Sequence, residues 1–117
     1  MPDAKKPGIQ IFGKAKCFDT KKAERFFKER GVAFQSIDLV RFSMSRGELK
    51  SVIAAVGGIE PLLDPKAEGA ALIRYLAGEE AKEEKLLENP KLFRTPIVRC
   101  GKKAAVGFAP EVWKEWL

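Results

Sequence analysis

The apolar positions of the chain follow two rhythms. Ile9-Gln10-Ile11-Phe12 is a short run of β-branched and aromatic residues and predicts a buried strand. Ala23, Phe26 and Phe27 then recur at helical spacing, and Gly31 after Arg30 marks the helix stop. Residues 32–39 predict a second strand, giving β-α-β over the first forty residues. A helical crossover of that length makes the two strands parallel neighbours. Ser45-Arg46-Gly47-Glu48 has capping-box spacing, and Leu49, Val52, Ile53 and Val56 follow as one apolar helix face that ends at Gly57-Gly58. Residues 59–63 read as a short connector. Asp64-Pro65 reads as a cap followed by an N1 proline, opening a helix through Leu72, Ile73 and Leu76 that Gly78 breaks. Residues 79–88 are acidic and end in Leu86-Leu87, the pattern of a surface helix that packs by its last turn.

The rhythm of two returns at residues 95–99, a strand entered at Pro96. Gly101 lies in the turn that follows, and residues 104–107 come back as a fourth strand, completing a hairpin. Ala109-Pro110 opens a terminal helix with Val112, Trp113, Trp116 and Leu117 on its apolar side. The order β-α-β, helices, β-β-α predicts an α/β fold: a thioredoxin-like mixed four-stranded sheet with a helical insertion, about residues 45–89, between strands 2 and 3. Residues 8–117 are expected to form one domain, preceded by a flexible tail of residues 1–7.

Composition narrows the chemistry. At 117 residues, 45% hydrophobic and 32% charged, the chain supports one proper core. No apolar run approaches the roughly 20 residues of a membrane span, and the first residues carry no secretory h-region. A cytoplasmic location, with reduced thiols and no membrane partner, is the expectation. Histidine is absent, which excludes Ser-His and Cys-His triads and imidazole-held metals. Two cysteines cannot complete a four-thiolate zinc site, so no metal site is expected. The net charge of +6 resides entirely in residues 1–58, while residues 59–117 balance. An anionic partner fits that excess. Direct nucleic-acid binding is not expected, because no helix carries a continuous basic stripe and the aromatics fall at core spacings.

Cys17 is the candidate nucleophile. It lies in the turn between the first strand and the first helix, where unpaired helix-start amides favour a thiolate. Lys14, Lys16, Lys21 and Lys22 lie within five residues and are expected to push the same way, below the free value of about 8.5. The alternative is a small core hydrophobe beside a solvated lysine face.

Several stretches together carry a family resemblance: residues 9–22 around Cys17, the block ending in Leu86-Leu87-Glu88-Asn89-Pro90, Phe93-Arg94-Thr95-Pro96-Ile97-Val98, and Val106-Gly107-Phe108 before the terminal helix. With them the chain resembles the arsenate reductase (ArsC-like) family of thioredoxin-fold proteins, and its YffB- and Spx-type bacterial members more than the active arsenate reductases. The resemblance implies that Cys17 takes the nucleophile position and Thr20 that of a Ser/Thr in the oxyanion loop. Lys21 falls where the reductases carry arginine, Arg94 matches the arginine ahead of the strand-opening proline, and Pro96 matches a cis proline facing the thiol. Where active reductases carry an arginine after the Leu-Leu of the insertion, this chain has Asp64-Pro65-Lys66, which leaves Lys66 as the cation there. Arg94 has a second reading, an ion pair with the acidic 79–88 helix.

Thr20 occupies the position where many Spx-type proteins place a second cysteine, so Cys17 lacks a local resolving thiol. Cys100 lies about 13 Å beyond Pro96 at strand rise and reads as a structural thiol. The implied function is a monothiol reductase without a bound cofactor. Glutathione, or a glutaredoxin-like reductant, would be its co-substrate, and a small anion or a mixed disulfide its substrate, with arsenate itself disfavoured. The alternatives are a non-catalytic Spx-like regulator that binds RNA polymerase, and a bare structural member of the fold.

Overall fold

A computed structural model describes residues 8–116. The expectations for residues 1–7 and for Leu117 lie outside the described residues. The elements are β1 (Ile9–Gly13), α1 (Phe18–Glu29), β2 (Phe34–Asp38), α2 (Leu39–Phe42), α3 (Arg46–Val56), α4 (Glu79–Glu88), β3 (Ile97–Cys100), β4 (Lys103–Val106) and α5 (Pro110–Glu115). Short 3-10 helices cover Glu60–Leu62, Ala70–Tyr75 and Pro90–Leu92.

The four strands form one mixed sheet in the order β2-β1-β3-β4. β1 pairs with β2 in parallel, as the helical crossover requires, and with β3 antiparallel, placing Phe12 opposite Ile97. β3 and β4 form the hairpin, with Ile97 opposite Val106. The thioredoxin-like architecture expected from the element order is therefore present.

Alternation along β1 divides the core in two. Ile9 and Ile11 face α1 and α5 and pack with Phe26, Phe27, Val98 and Trp113. Phe12 faces the insertion and packs with Leu39, Leu49, Val52, Leu62, Phe93 and Ile97. On the first face Trp113 is fully buried, 5.1 Å from the Phe26 ring and 5.4 Å from that of Phe27. α5 has only six residues, too few to persist alone, so this aromatic contact anchors it. On the second face α3 starts at a complete capping box: Ser45 Oγ accepts from the Glu48 amide, and Glu48 Oε1 accepts from the Ser45 amide. The other Glu48 oxygen accepts from Gln10 Nε2 at 3.4 Å, and Gln10 Oε1 accepts from Arg99 at 2.7 Å, which ties the cap to the sheet. Of the predicted apolar face of α3, Leu49 and Val52 are buried, while Ile53 and Val56 are partly so.

The helix predicted from Asp64 does not form. Asp64 Oδ1 accepts from the Lys66 amide and makes a local turn instead of a cap, and Gly69, at φ 89°, interrupts the run before the 3-10 helix Ala70–Tyr75. Tertiary hydrogen bonds decide the outcome. The Asp64 amide donates to the Leu92 carbonyl at 2.8 Å and the Arg94 amide to the Leu62 carbonyl at 2.7 Å, around a Leu63–Phe93 bridge. The second strand also ends before Leu39, because the Asp38 carboxylate accepts from the Val40 amide at 3.0 Å and turns the chain into α2. β3 begins at Ile97 rather than at residue 95, and β4 runs one residue earlier than expected.

Trp113→Ala should cost about 3–5 kcal/mol, the range for truncating a fully buried aromatic. The denaturant midpoint in urea unfolding, read by circular dichroism, checks this.

Candidate active site around Cys17

β1 ends at Gly13, and α1 starts at Phe18 with Cys17 as its N-cap residue, in extended conformation at φ −89° and ψ 116°. A tight turn joins them, closed by the Cys17 amide donating to the Lys14 carbonyl at 3.1 Å. Because β1 and β3 are antiparallel neighbours, the end of β1 lies beside the segment that leads into β3. The Cys17 thiol accordingly reaches the Thr95 carbonyl, to which it donates at 3.6 Å. The Thr95–Pro96 bond is cis, and Pro96 is buried.

Cys17 is half-buried. Burial alone pushes its thiol up, but hydrogen bonding favours the ionised form and prevails: the Thr20 and Thr95 side chains and the Thr20 and Asp19 amides together hold the group below its ordinary value. Thr20 Oγ1 is itself buried and has no fixed hydrogen-bond partner, so its hydroxyl is free to turn to a thiolate. Cys100 behaves in the opposite way. Burial pushes its thiol up and only nearby Lys103 opposes the shift. It pairs with Ile9 at the far end of β1, and both cysteines are free thiols.

The lysines do not act as the sequence suggested. None of them is among the causes of the lowered Cys17 thiol. Lys14 turns towards the insertion, donating to the Lys91 carbonyl at 2.9 Å with Asp64 3.9 Å away. Lys22 lies 3.9 Å from Asp19 and over the Phe108 ring, and Lys16 and Lys21 are exposed. Lys14 does have a structural part. With its carbonyl holding the Cys17 amide and its ammonium holding the 90s segment, it braces the loop against the insertion.

Of the residues that the sequence nominated, the structure brings Cys17 and Thr20 together and sets the Thr95–Pro96 segment against the sulfur. Arg94 is exposed, and its guanidinium lies near Gly107, 3.6 Å from where a Cβ would stand there. It borders a cavity of about 360 Å³ together with Glu60, Leu63 and Ala70. Arg94 has no ion pair with the 79–88 helix among the described residues. Lys21 borders a separate, smaller cavity with Glu24 and Asp38, and Lys66 is exposed on the turn after Asp64. Thr95 is the residue that sequence reasoning passed over; its place immediately before Pro96 was the available signal. Gly13 was also passed over. A Cβ there would overlap Thr20 Cγ2 and come within 2.6 Å of Thr20 Oγ1, so the bare glycine is what admits Thr20 beneath the loop.

Among the described residues no cluster of His, Cys, Asp and Glu is suited to hold a metal, and no helix is long and apolar enough to cross a membrane. The chemistry open to this site is that of a thiol biased towards its ionised form, with hydroxyl and amide donors around it.

The comparisons with known proteins identify the family and the fold. The family model described as "ArsC family" matches residues 12–116. The global transcriptional regulator Spx 2 of Oceanobacillus iheyensis is 26% identical over 114 residues, covering 93% of this chain and 83% of the regulator. The solved arsenate reductase from Vibrio cholerae is 26% identical at a TM-score of 0.82, covering 96% of this chain and 99% of that one. A solved YffB protein shares the fold, with 24% identity, a TM-score of 0.73 and coverage of 93% and 98%.

Gly13→Ala is expected to displace Thr20 and remove a donor to the thiolate. The Cys17 thiol should then titrate higher and alkylate more slowly near neutrality, with a stability loss of about 1–3 kcal/mol from overpacking. Iodoacetamide rates against pH, with urea unfolding alongside, measure both.

Proposed function

The chain belongs to the ArsC family, and from that membership we propose that it is a monothiol reductase whose nucleophile is Cys17. The observation that carries this reading is the set of donors around the sulfur: two threonine side chains and two backbone amides outweigh the effect of burial and hold the thiol below its ordinary value. The similarity to an arsenate reductase supports the same class of chemistry.

In the proposed cycle the Cys17 thiolate attacks one sulfur of a mixed disulfide. The S–S bond breaks, the leaving thiolate takes up a proton, and Cys17 is left in a new mixed disulfide. Glutathione then attacks the held sulfur, the S–S bond breaks and the Cys17 thiolate is restored. Glutathione leaves in a disulfide with the held group (oxidised glutathione when that group is itself glutathione). A glutaredoxin-like dithiol does the same, and its second thiol then releases the held group as a thiol. Two electrons pass from the reducing thiols to the substrate and no bound cofactor takes part. Thr20 and the Thr95–Pro96 segment shape the reacting position. Arg94, Lys21 and Lys66 are the cations available to a small anion. Arg94 is the best placed of them, because its own backbone leads directly into Thr95.

A second reading is a non-catalytic regulator that binds RNA polymerase; the similarity to the global transcriptional regulator Spx 2 supports a regulatory role.

The rate of iodoacetamide alkylation against pH separates these readings. For the reductase, the lowered thiol means that the rate rises with pH earlier than it does for a free thiol. The inflection should therefore fall clearly below about 8.5. It should vanish in Cys17→Ser, persist in Cys100→Ser and move up in Thr20→Val. An inflection at the ordinary thiol value would sink the proposed mechanism. For the regulator, purified RNA polymerase should retain the protein and Cys17→Ser alike on a sensor surface; absence of binding removes that reading.

A further inference from the structure

We propose that the surface flanking Cys17 docks an acidic polypeptide segment, with an apolar side chain of that segment set between Phe18 and Phe108. The inference rests on the reading of Cys17 as a nucleophile and names the class of its thiol partner: a protein, rather than a compact anion or a free tripeptide.

Phe18 is the first residue of α1, adjacent to Cys17, and is 79% exposed. Phe108 is 46% exposed. It follows Gly107, whose amide donates to the Pro96 carbonyl at 2.8 Å, so it begins where the segment facing the sulfur is tied down. The Phe108 ring stands edge-on to buried Trp113 at 5.5 Å and has the Lys22 ammonium 5.6 Å from its centre. Lys22 lies one helical turn beyond Phe18 on the same face of α1. Phe18 and Lys22 share one face of α1 next to Cys17, and Lys22 reaches the Phe108 ring, which Trp113 holds edge-on; the proposed surface runs along that path. A partner meeting that ring loses little freedom in ordering it.

Charge identifies the occupant. Lys16, Lys21, Arg25 and Lys28 are exposed on the Cys17 loop and α1, and none has an ion-pair partner among the described residues. Lys22 at the Phe108 ring and Lys16 beside Cys17 are the cations nearest the aromatic surface. With the further positive charge of α1 they outnumber Asp19 and the exposed Glu29, which is complementary to an acidic segment carrying an apolar residue. A small oxyanion uses the cations and leaves both rings in water. A second copy of this chain carries the same net charge of +6 over its whole length and is repelled.

The test uses full-length protein with Cys100→Ser, so that only Cys17 reacts. Three probes are compared, each a mixed disulfide with thionitrobenzoate: a Glu- and Leu-containing cysteine peptide, the same peptide with Lys for Glu, and glutathione. The Cys17 thiolate attacks the peptide or glutathione sulfur, the S–S bond breaks, and the coloured thionitrobenzoate anion leaves while a new disulfide holds the probe. No other reagent is consumed. The acidic peptide should react about 10-fold faster than either comparator, as one interface hot spot implies. Phe18→Ser and Phe108→Ser should each remove most of that preference and leave the iodoacetamide profile in place. Equal rates for the three probes, a faster lysine peptide, or a preference that survives both substitutions would overturn the proposal. So would a dimer in sedimentation that Phe18→Ser dissolves, since the face would then be covered by a second copy. An ordinary thiol inflection in the iodoacetamide profile would instead remove the nucleophile reading on which the docking rests, so the two failures are distinct.

Discussion

The antiparallel register of β1 against β3, with Phe12 opposite Ile97, is the constraint from which the site follows. That pairing lays the exit of β1 alongside the approach to β3. The loop carrying Cys17 and the segment carrying Thr95 and Pro96 therefore meet, although 78 positions separate the two residues that touch. β1 lies between β2 and β3, with hydrophobic layers on both faces, so its position is fixed from four sides. An interior of that density has little room to slip in register.

On that frame, what tunes the sulfur is direction rather than bulk charge. Four ammonium groups close in sequence contribute nothing resolvable, because their side chains leave the loop for other partners or for water. Short-range donors prevail because they point at the sulfur and are partly shielded from solvent, whereas an exposed lysine acts through a high dielectric. Gly13 belongs to the same design: an absent methyl group makes the space in which the Thr20 hydroxyl sits.

The local signals in the chain were readable. The capping box of α3, the parallel β-α-β start and the closing hairpin depend on residues a few positions apart, and each formed as its pattern indicated. The segment after Asp64 read equally well as a helix, yet hydrogen bonds to Leu92 and from Arg94 hold it in turns. Those partners are about thirty residues away, beyond the reach of any local pattern. The candidate site divided along the same line. Cys17 could be found from a strand, a turn and a helix start, and Thr20 from the family resemblance. The direction in which each lysine pointed, and the contact with Thr95, depended on the tertiary fold.

The placement of the two thiols at opposite ends of the sheet has one more consequence. Sulfur seventeen has no sibling within the molecule with which to store oxidising equivalents. Any disulfide it forms in this arrangement carries a passenger, and the identity of that passenger becomes a chemical record of the last molecule encountered.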